Sequence, residues 1–579
     1  MNEDVLSPLE QFPTYKEKFQ EIAEKTFDEL SSAADIDIKT NRELCKDIQE
    51  LKLNNKETKK NLTLWTTLCA IMWVVTIICA IISIPIGFGE DNAWIISILC
   101  IVICISMLGL LFRKIHPIIK KYKMYKNEQE TQIKEKEQKA RVIMAPLNKL
   151  YDWDIFSRMI TKTIPRLEFD PYFTNQRLAD LVNSYDWDEN FNKERSVLYS
   201  HSGLINGNPF VIARTREMKW GTKKYKGERT IEWITVKYDS DGKRHEKHHK
   251  QTLHASVEKP YPEYYEKTRL IYGNTAAPDL NFTRDVNNSK LKLGSLAYKI
   301  KLKEIESFSK DLNNDFAMAT NEEFEVMFTT TDRNNNQQYF LLFTPLAQEN
   351  MLKIIRDNEH GYGDDFQFMK RRKLNTLTAG HMQNLPLDMN PRMFWNSNYD
   401  EAKRVFLETT CENFRAIYFG FAPLLSIPLY QQIRPVSAIY GTDMPRQSSY
   451  WEHESLANFW GDNKFADSSC VTKCILKTTE NRRNNGTVEV LVHANGYRIE
   501  PRIEYVQKFG RDGEYHSVPV HWDEYLPVVG NGCIELQEDT VDERPDLDPV
   551  ARLQEINKKL DAFGENSVFR RHITSRIKQ

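Results

Sequence analysis

The chain has no excess of positive charge: 79 Lys and Arg stand against 81 Asp and Glu. A dedicated nucleic-acid binder carries a strong basic excess, so no nucleic-acid partner is expected. Cysteine is sparse as well, with nine in 579 residues. Secreted disulfide scaffolds are short and cysteine-dense, so this usage points to a reducing compartment. The opening residues Met1-Asn2-Glu3-Asp4 lack a basic leader and an apolar core, so membrane insertion is expected through internal segments. Local catalytic signatures are missing too. There is no G-x-x-x-x-G-K-[ST] phosphate loop and no G-x-S-x-G elbow, and Gly361-Tyr362-Gly363 lacks the third glycine of a dinucleotide loop. These gaps lower the expectation of an enzyme without removing it, because many active sites carry no local signature. No cofactor is expected.

Long apolar runs are present. Leu62 to Phe88 and Ala93 to Phe112 contain no charged residue. A helix needs roughly 20 apolar residues to cross about 30 Å of hydrocarbon, and both runs meet that length. Pro85 and Gly87 close the first run, and Gly89-Glu90-Asp91-Asn92 reads as a polar turn between antiparallel helices. Lys59 and Lys60 precede the first run, and Arg113 and Lys114 follow the second, whereas the turn holds only Glu90 and Asp91. Positive charge stays inside, which predicts a multi-pass plasma-membrane protein with both termini cytoplasmic. Neither run carries the ionisable groups of a conducting or proton-relaying helix, so the hairpin reads as an anchor in the lipid bilayer. Thr66 with Ala70 and Cys100 with Cys104, each pair one turn apart, are small enough for close helix contact.

The expected fold class is α+β, with an N-terminal helical arm, a two-helix transmembrane hairpin, a helical stalk and β-rich cytoplasmic lobes. Residues 1–60 form the arm, with a break near Ala34-Asp35, and 61–112 the hairpin (62–88 and 93–112). Residues 113–150 form the stalk, kinked at Pro117; its polar middle reads as a solvated helix, with a coiled coil as the alternative. Two α+β domains follow at 151–380 and 381–545, then a charged helical tail at 546–579. Strands are expected at Phe210–Ala213, Thr230–Val236, Tyr339–Thr344, Val488–Val492 and Ile503–Val506, and hairpin turns at Asp239-Ser240-Asp241-Gly242 and Arg511-Asp512-Gly513-Glu514. Ala416 to Tyr430 is apolar but short and holds two prolines, so a buried or interfacial segment is expected there, not a third span. The repeated Tyr-Asp-Trp-Asp at 151–154 and 185–188 has no repeated apolar pattern around it and reads as coincidence.

Three constellations touch on chemistry. His245-Glu246-Lys247-His248-His249 matches H-E-x-x-H, in which two histidines one helical turn apart hold zinc and the glutamate activates water. Here it follows an Asp-Gly turn with no apolar helical face beside it, so it reads as polar residues of a strand, where His245 and His249 stand about 13 Å apart. Cys470 and Cys474 lack a second ligand pair for structural zinc, and strand spacing makes them two separate buried thiols. The segment 214–250 has twelve basic residues against six acids, among them Lys223, Lys224, Lys226, Lys243 and Arg244. Anionic lipid headgroups or another protein suit such a patch. A solvated edge, with lysines discouraging strand pairing, is the plainer reading.

Ser202-Gly203-Leu204-Ile205-Asn206-Gly207-Asn208-Pro209, Ile305-Glu306-Ser307-Phe308 through Asn314-Asp315-Phe316, and Tyr339 to Pro345 resemble an uncharacterised bacterial domain-of-unknown-function family. Similar long forms occur in mollicutes and other low-GC Gram-positive bacteria. The resemblance covers about residues 200 to 350. It implies a membrane hairpin joined to a β-rich cytoplasmic domain, and it carries over no catalytic residue. The expected function is a non-enzymatic membrane-anchored scaffold or adaptor that binds another protein or a second copy of itself. The alternatives are an enzyme of unrecognised type at His245, Glu246 and His249, or an oligomeric channel or transport component. Removing residues 1–148 is expected to leave a folded soluble fragment.

Overall fold

The computed structural model describes residues 7–86, 93–286, 291–311, 315–383, 389–433, 447–484, 486–539 and 547–578, with the side chains of 82–97 left out. The expected turn at Gly89–Asn92 lies outside the described residues. The chain is α+β and clusters into two compact units. One comprises Met1–Glu24, Asp152–Asn390 and Thr409–Gln579, the other Lys25–Tyr151 and Pro391–Glu408. The boundary expected near residue 380 therefore does not divide units: most of both expected cytoplasmic domains falls in the first, and the N-terminal arm is shared between the two.

The helical unit is built on helix α2 (Ile38–Ile86), α3 (Ala93–Leu110) and α4 (His116–Leu150), after α1 (Pro8–Ala33). The expected break falls where Asp35 adopts a left-handed φ of 46°. Asp37 then caps α2, accepting from the Thr40 N–H at 3.0 Å and from its hydroxyl at 2.6 Å. Two helices are long and apolar enough to cross a membrane, with mean hydropathy 2.3 over their most apolar windows. Only 11% of each window is buried in protein, unlike the core helix of a soluble domain. The helices touch through Cys69, Leu111 and Ile115, with Trp65, Met72 and Ile119 beside them. The Cys104 thiol reaches the Thr76 carbonyl at 3.5 Å. Thr66 and Ala70 face outward instead, because Cys69 holds the inward position of that turn.

Where a kink is expected at Pro117, a π turn at Leu111–Ile115 precedes α4 and places the proline in its first turn. The polar stretch of α4 is not a lone solvated stalk. It runs antiparallel beside α2, joined by Lys52–Glu137 at 2.8 Å and Lys59–Glu130 at 3.1 Å, with Lys136 on Asp47. Ile48, Asn55, Ile133 and Ala140 are buried along this hairpin. Exposed ion pairs of this kind contribute about 0–1 kcal/mol each, so the buried positions carry the pairing.

The β unit holds two antiparallel sheets. Strands β1 (Leu167–Phe169), β2 (Arg195–Ile205), β3 (Asn208–Tyr238), β4 (Arg244–Gly273), β5 (Asn281–Arg284), β6 (Phe366–Arg371) and β7 (Leu374–Ala379) pair in the order β1-β2-β3-β4-β7-β6-β5. Strands β8 (Ile475–Asn484), β9 (Thr487–Phe509), β10 (Tyr515–Glu538), β11 (Val568–Arg570) and β12 (Ile573–Lys578) pair in the order β11-β12-β10-β9-β8. The C-terminal tail thus carries a helix, Pro549–Phe563, and also two strands that complete the second sheet.

Strand positions expected as separate pieces are continuous. Phe210–Ala213 and Thr230–Val236 lie in the single 31-residue β3, and Val488–Val492 and Ile503–Val506 in the 23-residue β9. Both hairpin turns form, with Gly242 and Gly513 at φ +76° and +90°. Tyr339–Thr344 is not a strand. Asn335 caps a helix over Asn336–Leu342 by accepting from the Gln338 N–H at 3.0 Å. Tyr339, Leu342 and Phe343 are buried while Leu341 is exposed, a spacing that only a helix provides. Ala416 to Ile427 is buried throughout, at the end of the helix Tyr399–Leu425 and just past it; its lack of charge reflects a protein core.

Candidate functional site

The β3–β4 hairpin outgrows its sheet. Strand β2 pairs with β3 only as far as Glu217, and β7 pairs with β4 only from Leu270, so the ladder between them continues as a two-stranded ribbon. At about 3.3 Å per residue, the 21 residues from Met218 to Tyr238 extend roughly 70 Å. The β9–β10 hairpin does the same beyond its pairing with β8 and β12. The two ribbons stack face to face. Ile231, Leu253, Ala255, Val518 and Val520 are buried between them, flanked by Tyr225, Trp233, Val257 and Val506. Isolated two-stranded ribbons are marginal in water, and the shared apolar layer is what makes this arm stable.

Gly227 fixes the spacing of the stack, since a Cβ there would sit 2.0 Å from the Pro519 carbonyl oxygen. Around that contact, Arg229 donates to the Ser517 carbonyl at 2.9 Å and Lys259 lies 4.5 Å over the Trp522 ring. At the end of the shorter hairpin, the Arg511 N–H donates to Gln251 at 2.8 Å. Past that point β3 and β4 continue alone, and the tip is exposed on both faces. Ile234, Val236 and Tyr238 share its outer face and are 50%, 42% and 69% exposed. Their cross-strand partners there are His248, Glu246 and Arg244.

The arm also holds most of the residues singled out from the sequence. His245 and His249 lie on β4, four residues apart on one extended strand. The His245 ring nitrogen Nε2 contacts Asp239 at 2.9 Å; that of His249 contacts the Thr235 hydroxyl at 2.7 Å, while its ring stacks on Trp233 at 5.2 Å. No group of three His, Cys, Asp or Glu able to hold a metal ion occurs among the described residues. Lys223 turns toward the second ribbon, 3.5 Å from Asp523, and Arg244 pairs with Glu246 at 2.6 Å. Lys224, Lys226, Lys237, Lys243 and Lys247 are exposed and form no ion pair among the described residues. With Arg229, which reaches only the Ser517 carbonyl, these lysines are the basic residues of segment 214–250 without a carboxylate partner among the described residues. Arg214, Arg216, Lys219 and Lys250 are neutralised locally by Glu266, Glu217 and Glu232. In the helical unit Lys59 pairs with α4, and Arg113 and Lys114 are exposed on the π turn.

Cys470 and Cys474 are not separate. The chain from Asp467 to Cys474 bends instead of running as a strand, which brings the two sulfurs to 3.6 Å. Cys474 is buried and Cys470 half-buried.

A cleft of about 390 Å³ went unnoticed in the sequence. It is lined by Leu178, Val182, Trp187, Asp188, Glu189, Tyr450 and Trp451, among others. Trp187 and Trp451 form a nearly buried floor, with ring centroids 5.1 Å apart, and Asp188 and Glu189 are exposed at its rim. The Tyr185–Asp188 tetrapeptide supplies part of it: Asp186 ends the helix Asn175–Tyr185 in a left-handed conformation that turns Trp187 inward. Beside it, the helix Tyr450–Trp460 carries Glu452, His453 and Glu454 into the core. Glu452 binds Arg571 and Glu454 binds Lys477 at 2.5 Å. Burial pushes the Glu454 carboxyl up to about 7, and it holds the His453 ring down to about 4. The His453 Nε2 contacts the Ser448 hydroxyl at 2.8 Å, but both residues are enclosed, so this array braces the sheets and offers no substrate access.

The chain matches no described protein family, no curated protein and no solved structure.

Proposed function

We propose that this chain is a non-enzymatic membrane-anchored adaptor of the plasma membrane that uses its β-arm to hold another protein. The observation that carries the reading is the tip beyond Gln251, where Ile234, Val236 and Tyr238 expose large apolar surface on a hairpin with no second layer among the described residues. Burying the exposed half of such side chains against a partner yields about 1 kcal/mol each, whereas leaving it in water gains nothing for the fold. The five lysines and Arg229, left without a carboxylate partner among the described residues, favour a partner whose contact surface is acidic around an apolar centre. Lys59, Lys60, Arg113 and Lys114 flank the apolar helices, which supports an orientation with both termini and the arm in the cytoplasm.

The test is a photo-crosslinking amino acid placed at Val236 in the full-length chain, expressed in its native cells. The expected outcome is one abundant heterologous protein adduct with an acidic contact peptide, lost when Ile234→Asp and Tyr238→Asp are introduced together. Adducts only to lipid, or only to a second copy of the chain, overturn the reading.

A further inference from the structure

The Cys470–Cys474 pair sits where the two sheets of the β unit meet, in a bend held from both sides. The Val471 N–H donates to the Tyr497 carbonyl at 2.9 Å, and the Tyr497 N–H donates to the Thr472 hydroxyl at 3.0 Å, tying the bend to β9. From the first sheet, the Tyr264 hydroxyl on β4 reaches Thr472 at 3.1 Å, and Arg216 on β3 pairs with Asp462 at 3.2 Å. Asp462 in turn accepts from the Cys474 N–H at 3.1 Å. Lys473, between the thiols, lies 3.6 Å from Glu266 on β4. This frame holds the two sulfurs side by side at 3.6 Å, so a disulfide requires them to close by only about 1.5 Å to the usual 2.05 Å.

Room for the two thiols is made by a glycine. A Cβ on residue 496 of β9 would stand 2.4 Å from the Cys470 sulfur and 3.0 Å from that of Cys474. Any other residue there would displace both sulfurs. No metal-ligand set surrounds the pair among the described residues, and neither thiol belongs to the arm surface.

We propose that Cys470 and Cys474 form a redox site, a dithiol that closes to an intrachain disulfide on exposure to a peroxide. In the first step the Cys470 thiolate attacks one oxygen of hydrogen peroxide. The O–O bond breaks, the leaving hydroxide takes a proton to become water, and Cys470 becomes a sulfenic acid. The Cys474 sulfur then attacks the Cys470 sulfur, forming the S–S bond and expelling the sulfenic oxygen as a second water. Two thiols are oxidised by two electrons and one peroxide is reduced to two waters. Exposure sets the order, because Cys470 is half-buried and Cys474 is buried. Burial also pushes the Cys474 thiol up to about 12, with the neighbouring Cys470 and Asp462 adding in the same direction and Arg216 opposing. A protonated Cys474 thiol is a weaker nucleophile than its thiolate, which holds back the second step. Closure would stiffen the bend that links β3 and β4 to β8 and β9.

Trypsin cuts after Lys464, Lys473 and Lys477, so the reduced site yields Phe465–Lys473 and Cys474–Lys477 as separate peptides. The full chain in mild detergent is reduced, desalted, treated with a few equivalents of hydrogen peroxide, alkylated under denaturing conditions and digested without reductant. The expected product is the two peptides joined, two hydrogens lighter than their sum, and separated again by reductant. With Cys474→Ser the reaction is expected to stop at a sulfenic acid on Cys470, trapped by dimedone. With Gly496→Ala closure slows at least tenfold while dimedone labelling of Cys470 persists. Recovery of both peptides as separate alkylated thiols overturns the proposal, as does joining of either peptide to a different cysteine.

Discussion

Lys370 on β6 shows what a single buried side chain costs. Its ammonium is wholly enclosed, donates to the Ala276 carbonyl at 3.0 Å, and has no carboxylate partner among the described residues. Burial lowers its pKa from 10.5 to about 7. Between those values the unfolded chain binds the proton more tightly than the folded one, so this residue makes stability rise with pH from about 7 to 10.5. Its destabilisation is complete below pH 7. Lys370→Met is expected to stabilise the protein by roughly 2–4 kcal/mol at pH 7, from ~1.36 kcal/mol per pKa unit less the unpaired carbonyl left behind. The gain should vanish as pH approaches 10.5. Thermal unfolding in detergent at pH 7 and pH 10 measures the difference. By contrast, Arg333 and Arg284, equally buried, each face a carboxylate, on Glu325 and Asp364. None of these burials was legible in the sequence, because burial belongs to what packs around a residue and not to its neighbours in the chain.

At the scale of elements, the arm depends on stacking. The register of β3 on β4 brings Pro260 and Pro262 into the ribbon, where β4 has no outer neighbour past β7 among the described residues and can spare their missing N–H groups. The middle of β3, from Arg214 to Arg229, has little apolar alternation, and for that reason the sequence suggested two short strands. Cross-strand pairs and the β9–β10 layer keep it extended. Gly227→Val is expected to push the ribbons apart, since its side chain overlaps the Pro519 backbone. The predicted result is faster amide exchange at Ile231, Leu253 and Val518, by tenfold or more, with the strands near β2 and β7 unchanged. Unaltered exchange at those residues would contradict the stacking argument. The Tyr339–Thr344 segment fails in the other direction: a short run of six apolar or small residues has no period by which helix and strand differ, and the Asn335 cap decides it.

For the whole molecule, α1 contributes to the core of the β unit, and this changes what a truncation would do. Phe12 and Phe19 are fully buried, with Phe19 stacked on Phe414 at 4.3 Å and Phe12 4.8 Å from Phe419. The Tyr418 hydroxyl donates to the Pro8 carbonyl at 2.7 Å. A chain starting at residue 149 loses both phenylalanines and uncovers Phe414, Tyr418 and Phe419. It is expected to aggregate, and adding a peptide of residues 7–24 in trans should return it to the soluble fraction. Gel filtration with and without the peptide decides this, and a monomeric truncated chain alone would contradict it.

Local composition was enough for the two apolar helices, the break at Asp35, the two Asp-Gly turns and the α+β class. Each follows from local composition: uninterrupted apolar length, a capping aspartate, a glycine at positive φ. Tertiary structure alone decided the pairing of α4 with α2, the stacking of the two ribbons, the shared core of α1, the Trp187–Trp451 cleft and the meeting of Cys470 with Cys474. These join residues far apart in the chain, or close neighbours whose separation depends on whether the backbone extends or bends. The four-residue spacing of the cysteines spans about 13 Å on a strand, and 3.6 Å between sulfurs where Thr472 and Tyr497 hold the chain in a bend.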